Sequence, residues 1–331
     1  MSWFERLMGF AEGSYDKVRE QITVDGETMK SRANGKVFRH GRLETLALGE
    51  LRDRVRLAPP QSRKSAICEV VANVQQLHAD DTNAGALFQV ASQFNLLEMT
   101  SPEVSPEAGV GIYEYDRTQG PACAIAAGAG TIYRNYFAEV NGRMGQTADN
   151  QLNCLADLGE ALGNSTGALW KMQNGYPLPT QAGLREVSRR LSSADESELD
   201  RLRQLLQIGV HWDTQVTLGS CAHTVTQAYC SALPVGYCRR DDVHWPEFAR
   251  LVLEATYEAT LCAAILNAQA TGNPRVFLTL VGGGAFRNDY SWIIDAVAGA
   301  WRIHENSGLE LYVVSYRSSN PEVAQLIERL T

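Results

Sequence analysis

The sequence predicts an α/β fold with parallel strand pairing. Three observations carry this. Residues 275–282, RVFLTLVG, form an apolar run without polar alternation, which suits a central strand covered on both faces. The glycine turn GGGAFRND follows, then the helical stretch YSWIIDAVAGAWRIHENSG, then a second buried strand, LELYVVSY at 309–316. Strand, turn, helix and strand make a βαβ unit, whose strands pair in parallel through a right-handed crossover. Ahead of it, PEFARLVLEATYEATLCAAILNAQATG is a long amphipathic helix closed by Gly272, with Pro274 beyond.

The remaining elements are read in chain order. Residues 1–35 give a helical start and then a polar stretch; ITVDGETMKSRANG is turn-rich and reads as a loop or binding arm. VFRHGRLETL alternates like a strand, and LGELRDRVRLA is a short helix ended by Pro59 and Pro60. ICEVVANVQQL (67–77) reads as a strand, HADDTNAG as a turn, and ALFQVASQF (86–94) as a second buried strand. At Asn95 it opens into a loop broken by Pro102 and Pro106. GPACAIAAGAGTIYRNYF (120–137) is dense in small residues, a helix or loop packed closely against a sheet or a ligand. Between 138 and 210, NQLNCLADLGEALG, LREVSRRL and ESELDRLRQLLQIG have helical periodicity, with Ser193 or Asp195 as a cap. NGYPLPT is a turn or short strand, HWDTQVTL (211–218) a strand, and PEVAQLIERL a closing helix.

Composition sets limits on function. Of 331 residues, 44% are apolar and 21% charged, ordinary globular usage. A net charge of −8 and a pI near 5.4 exclude a general nucleic-acid or anionic-membrane surface. They leave room for one local anion site built from backbone N–H groups. The seven cysteines are odd in number and lack a C-x-x-C pair, as expected of reduced thiols in a cytosol. The N-terminus carries acids early and has no long apolar core of a Sec signal. The expected location is cytoplasmic, or a host cytosol reached without a Sec signal. No stretch reads as a membrane span.

Three segments carry candidate chemistry. The sharpest is Gly282, Gly283, Gly284, Ala285, Phe286, Arg287 and Asn288, between a buried strand and a helix. Ligands in open parallel sheets bind outside the carboxyl ends of strands. Glycines there let backbone approach a phosphate, and the helix N-terminus offers unpaired N–H groups. The loop is neither a Walker A motif nor G-x-G-x-x-G. The alternative is a tight turn that needs small residues for packing. The second segment, FQVASQFNLLE, ends a buried strand in Asn95 and then Glu98; amide and carboxylate there can bond ribose hydroxyls, or the Asn can cap a turn. The third is YEYDRTQGP, where Glu114, Asp116, Thr118, Gln119 and Gly120 crowd before the small residues, as a ligand-touching loop or an exposed turn.

The order of these pieces resembles the macrodomain family, the ADP-ribose module. QVASQFN resembles the family strand ending in VNAAN, with Asn95 at the second Asn. YEATLCAAILNAQATG, RVFLTLVG and GGAFRN resemble its late helix, strand and phosphate-cradling loop; Gly284, Ala285 and Phe286 match a Gly-x-Phe-Gly pattern in which Arg287 replaces the second Gly. LYVVSY also has a counterpart. The resemblance covers 65–137 and 250–331. It implies one domain over 1–331, a three-layer α/β/α mixed sheet, with an N-terminal extension at 1–35 and a mainly helical insertion at 138–210.

The resemblance also implies a ligand, ADP-ribose, with no required cofactor, and a partner, an ADP-ribosylated protein. Asn95 would contact the distal ribose, with Thr118, Gln119 and Gly120 alongside and residues 282–288 around the diphosphate. A hydrolase would cut the bond from C1 of that ribose to a side chain, arginine among the candidates, through an oxocarbenium-like state. Glu98, Glu114 and Asp116 are the candidate catalytic carboxylates. Asp289 either joins them or caps the next helix. A non-catalytic ADP-ribose reader is the alternative. No metal is expected: Cys221, His223, Cys230, Cys238 and His244 fit no common zinc spacing.

Overall fold

A computed structural model describes residues 1–59, 63–238 and 243–331, so Pro60 lies outside the described residues. The chain opens with α1 (Trp3–Met8) and α2 (Tyr15–Gln21), followed by the antiparallel meander β1 (Ile22–Asp25), β2 (Thr28–Ser31) and β3 (Val37–Arg39). Then come β4 (Arg42–Ala47), α3 (Leu48–Leu57), β5 (Ala66–Val71), α4 (Val74–Ala79) and β6 (Leu87–Ala91). A long irregular segment leads to α5 (Gln119–Ala126) and α6 (Gly128–Tyr136). Two hairpins, β7 (Glu139–Val140) with β8 (Arg143–Met144) and β9 (Trp170–Gln173) with β10 (Tyr176–Pro179), flank α7 (Ala156–Ala161). The chain finishes through α8 (Gln181–Ser193), α9 (Glu196–Gln204), β11 (Gln207–Gln215), β12 (Thr224–Cys230), α10 (Trp245–Thr271), β13 (Arg275–Leu278), α11 (Tyr290–His304), β14 (Glu310–Ser315) and α12 (Pro321–Leu330).

The central sheet runs in the order β4-β11-β12-β6-β13-β14-β5. From β12 to β5 all neighbours are parallel, whereas β11 is antiparallel to both β4 and β12. The predicted βαβ unit is β13-α11-β14, with Arg275 opposite Glu310 and Leu278 opposite Val313. Helix α10 packs with α3, α8, α9 and α11 on one face, while α5 meets β6 and α6 meets β11 on the other. The result is the expected three-layer α/β/α mixed sheet.

Several elements differ from the sequence reading. The stretch 22–35 is not a free arm: Ile22 pairs with Ser31 and Asp25 with Thr28. The run 67–77 divides into β5 and α4, because Asn73 accepts the Gln75 N–H and caps the helix. The apolar run at 275–282 is a strand only to Leu278. Strand β12 has no counterpart among the sequence assignments. Its Gln227 and Thr226 are wholly or nearly buried in the centre of the sheet, so polar letters mask a core strand. Asp195, not Ser193, caps α9 by accepting the Glu198 N–H at 2.8 Å. Residues 207–210 belong to β11 of the central sheet.

By length and composition α10 would cross a membrane, but 83% of its apolar window is buried inside the protein. Its hydropathy is that of a core helix. A second apolar cluster gathers Trp3, Phe4 and Met8 of α1 with Leu97, Met99, Tyr113 and Tyr136. Through it the N-terminal helices buttress the segment that follows β6.

Candidate functional site

The site forms where two parallel strands part. Strand β13 pairs with β6 only at Val276–Leu87 and Phe277–Phe88. Past that point the edge of β6 is completed by a side chain: Ala91 N–H donates to Gln119 Oε1 at 3.1 Å, and Gln119 Nε2 donates to Gln89 O at 2.9 Å. Gln89 itself accepts from Thr279 N–H at 3.2 Å and donates to Thr260 Oγ1 at 2.9 Å. Two amides thus satisfy backbone groups that a longer β13 would have paired. A cavity of about 210 Å³ opens at these carboxyl ends, lined by residues 91–93, 98–100, 116, 118–121, 176, 232, 237, 279–282 and 284–286.

Helix α5 meets β6 closely at Gly120, where a Cβ would lie 2.0 Å from the Ala91 carbonyl oxygen and 3.2 Å from Glu98 Cγ. Only glycine fits. Gly120→Ala is expected to push α5 off β6 and to cost roughly 1–3 kcal/mol, the usual penalty of overpacking, read from urea unfolding.

The glycine loop is pinned at several points. Gly283 N–H donates to Leu280 O, Arg287 N–H to Gly284 O, and Asn288 N–H to Gly282 O. Asn288 Nδ2 donates to Leu233 O at 2.8 Å. Gly282 has φ +81°, and a Cβ there would lie 2.5 Å from Ala232 Cβ. Nothing lies within 4 Å of a Cβ built on Gly284. Among the described residues, the N–H groups of Gly282, Gly284, Ala285 and Phe286 donate to no backbone or side-chain acceptor. Such unpaired donors on a concave loop suit an anion. Arg287, at φ 54°, together with Gly283 and Asn288, does not line the cavity. Within the loop Asn288 faces Leu233 and Arg287 packs toward Gly236.

Residues 92–99 are buried throughout, and Leu96 turns them back with φ 65°. Their polar groups are met from elsewhere. Phe94 N–H donates to Gly175 O, Cys154 N–H donates to Phe94 O, and Gln146 Nε2 donates to Asn95 O at 3.0 Å. Arg134 Nε donates to Leu96 O at 3.1 Å. Asn95 corrects the sequence expectation. Its Oδ1 accepts the Leu97 N–H at 3.1 Å and its Nδ2 donates to Gln151 Oε1 at 2.8 Å, so it braces the reversal and does not line the cavity. Ser92 and Gln93 stand there in its place.

Glu98 is 2% exposed and lines the cavity, and neither carboxylate oxygen has a hydrogen-bond partner among the described residues. Burial pushes its carboxyl up to about 8, against the opposing pull of the Arg134 guanidinium and Tyr113. The group is therefore mostly protonated at neutral pH. Asp116 lines the same cavity while its Oδ1 accepts the Thr118 N–H at 2.8 Å. Glu114 is a second correction: its Oε2 accepts the Trp3 backbone N–H at 3.1 Å, and it faces a neighbouring chamber of about 580 Å³ instead. The two chambers share Asp116, Thr118, Gln119 and Thr279, so they adjoin along this segment.

One wall of the cavity is aromatic. The Tyr176, Tyr237 and Phe286 rings lie 5.2, 5.3 and 5.7 Å apart, and Tyr176 OH donates to Met99 O at 2.7 Å. The sequence reading found Phe286 but missed Tyr176 and Tyr237. The only signal for Tyr176 is an aromatic residue inside the turn-rich NGYPLPT. Asp289 caps α11 by accepting the Ser291 N–H at 2.8 Å, the capping role rather than the catalytic one.

The chain matches no protein-family model and no curated protein by sequence. Solved structures do match it. A poly(ADP-ribose) glycohydrolase from Thermomonospora curvata superposes with a TM-score of 0.50 at 12% identity, over 96% of each chain. A poly(ADP-ribose) glycohydrolase from Deinococcus radiodurans in complex with ADP-ribose gives 0.45 at 12% identity, over 87% of this chain and 93% of that one. At such identity the likeness is one of architecture, and across nearly its whole length this chain has the macrodomain-like fold of the Thermomonospora protein.

Proposed function

We propose that this protein binds ADP-ribose across the two adjoining chambers and hydrolyses the glycosidic bond joining an ADP-ribosyl unit to its carrier. The observation that carries the reading is Glu98, a buried and mostly protonated carboxyl in the cavity whose two oxygens have no partner among the described residues. The name of the Thermomonospora fold-mate, a poly(ADP-ribose) glycohydrolase, supports the same chemistry. The N–H groups of Gly282, Gly284, Ala285 and Phe286, and of Gln119 and Gly120 at the α5 N-terminus, have no acceptor among the described residues and suit the diphosphate. The aromatic wall suits a ribose face, and the larger chamber suits the adenosine end.

In the reaction, Glu98 gives its proton to the leaving oxygen as the bond to C1 breaks and positive charge develops on the ribose. The resulting carboxylate takes a proton from the water that attacks C1, which regenerates the acid. Asp116, in the same cavity, adds negative charge near that centre. A protonated acid favours an oxygen leaving group. A guanidine leaving group would draw more from an ionised carboxylate, so oxygen-linked ADP-ribose is the preferred substrate over the arginine linkage. The carrier is an ADP-ribosylated protein, no cofactor enters, and the free thiols suit a cytosol.

Calorimetry with ADP-ribose, run beside release assays on serine-linked and arginine-linked ADP-ribosylated protein, tests the reading. We expect binding and faster release of the oxygen-linked unit. Binding with no release from either carrier would make the protein a reader; no heat at all would reject the ligand.

A further inference from the structure

Away from the cleft, in the outer layer formed by α3, α10 and α11, three side chains with metal-ligating atoms converge. Glu258 and Cys262 lie one turn apart on α10, and His304 ends α11. Their ligating atoms all fall within 4.8 Å of one another, with Cys262 Sγ 3.5 Å from His304 Nε2. Glu258 is 5% exposed and Cys262 is fully buried, so both donors are held in place by packing. All three side chains line one cavity of about 430 Å³, which leaves a further coordination position facing open space.

The surrounding charges favour a cation. Arg52 donates to both oxygens of Glu258, at 2.5 and 2.7 Å, and to both oxygens of Asp200, at 3.0 and 2.9 Å. One guanidinium therefore serves two carboxylates; Arg56, which also lines the cavity, is offset by its ion pair with Asp53, so the cluster carries one surplus negative charge. A divalent ion that displaces the Cys262 thiol proton to solvent brings the cluster to neutrality. Glu258 can keep Arg52 on one set of lone pairs while offering another, since a carboxylate has about four acceptor sites.

We propose that Glu258, Cys262 and His304 form a three-ligand site for a thiophilic divalent cation of the zinc type, which staples α10 to α11. Thiolate, imidazole and carboxylate are the ligand types of that ion, and three protein ligands with an open fourth position are one of its usual arrangements. The sequence spacing hides the set, because the imidazole lies far along the chain on the next helix. The site stands independently of the ADP-ribose reading.

The test uses the full-length protein, stripped with a chelator and titrated separately with Zn²⁺ and Co²⁺. Expected are one tightly bound equivalent, a thiolate-to-cobalt charge-transfer band in the near ultraviolet, and a Tm raised by Zn²⁺. Cys262→Ser and His304→Gln should each loosen binding by at least the roughly 10–100-fold that loss of an outer-shell partner costs, and the first should erase the cobalt band. Cys68→Ser, at an exposed cysteine, should change nothing. A missing cobalt band in the parent protein, or a band that survives in Cys262→Ser, would overturn the assignment. Should Cys262→Ser fail to fold, unchanged affinity in His304→Gln overturns it equally.

Discussion

Glu98→Gln is expected to cut turnover by about 10²–10⁴-fold, the usual worth of a positioned proton donor, while ADP-ribose still binds. The same substitution should make the fold more stable at neutral pH. The carboxyl rises from an ordinary value of 4.5 to about 8 in the folded protein because burial penalises its charged form. A group raised in this way lends its stability below the unfolded value and loses it as pH climbs through the folded one. At pH 7 the unfolded chain holds an ionised carboxylate and the folded chain a protonated one, a penalty on folding of roughly 3 kcal/mol at about 1.4 kcal/mol per pH unit. Glutamine has no such equilibrium. Between pH 4 and pH 7, urea unfolding should therefore shift in favour of the variant by about that amount. Turnover of the parent protein should fall as pH rises past 8, where the acid is lost. A stability difference flat with pH, or full turnover in the variant, would remove Glu98 from the proposed chemistry.

Arg134→Met is expected to destabilise the fold by roughly 3–5 kcal/mol. Arg134 is wholly buried. It donates to Leu96 O at 3.1 Å and to Thr131 Oγ1 at 3.1 Å, its Nη1 lies 3.2 Å from His211 Nδ1, and its guanidinium sits 3.5 Å over the Tyr229 ring. Methionine fills much of the space but donates nothing, so the Leu96 carbonyl is left buried without its donor. The cation that draws the Glu98 carboxyl down is also lost, so the alkaline limb of the turnover profile should move to higher pH. Denaturant unfolding of Arg134→Met, Glu98→Gln and the double variant forms a cycle, in which coupling of about 0.5–3 kcal/mol is expected for neighbours. An Arg134→Met protein within 1 kcal/mol of the parent, with an unmoved pH profile, would show that Arg134 neither holds the loop nor acts on Glu98.

What was legible in the sequence was what local pattern dictates. The run RVFLTLVG, the helix from Tyr290 and the strand near Glu310 emerged as a βαβ unit because burial on both faces leaves strands with few polar letters. The glycine loop stood out because left-handed backbone at Gly282 demands its residue type. Strand β12 stayed hidden because Thr226 and Gln227 are buried polar residues whose partners lie elsewhere; Gln227 Nε2 bonds Cys123 O at 2.9 Å. Side-chain direction was the harder problem. Asn95 and Glu98 follow the same strand, yet the reversal at Leu96 turns one into the scaffold and the other into the cavity. That choice is made by Gly175, Gln151 and Arg134, which no local pattern ties to it.

The buried segment after β6 also has a temporal side. Its backbone groups find their partners in Gln146, Cys154 and Gly175, all synthesised later and joined to it through long loops. Closing such loops costs chain entropy before their contacts repay it, so distant pairings form slowly. Until those partners close over residues 92–99, the segment stays solvated and the Glu98 carboxyl keeps the acidity of an ordinary glutamate. The raised carboxyl of Glu98 therefore belongs to the closed state of the middle of the chain and is gained only as those contacts form.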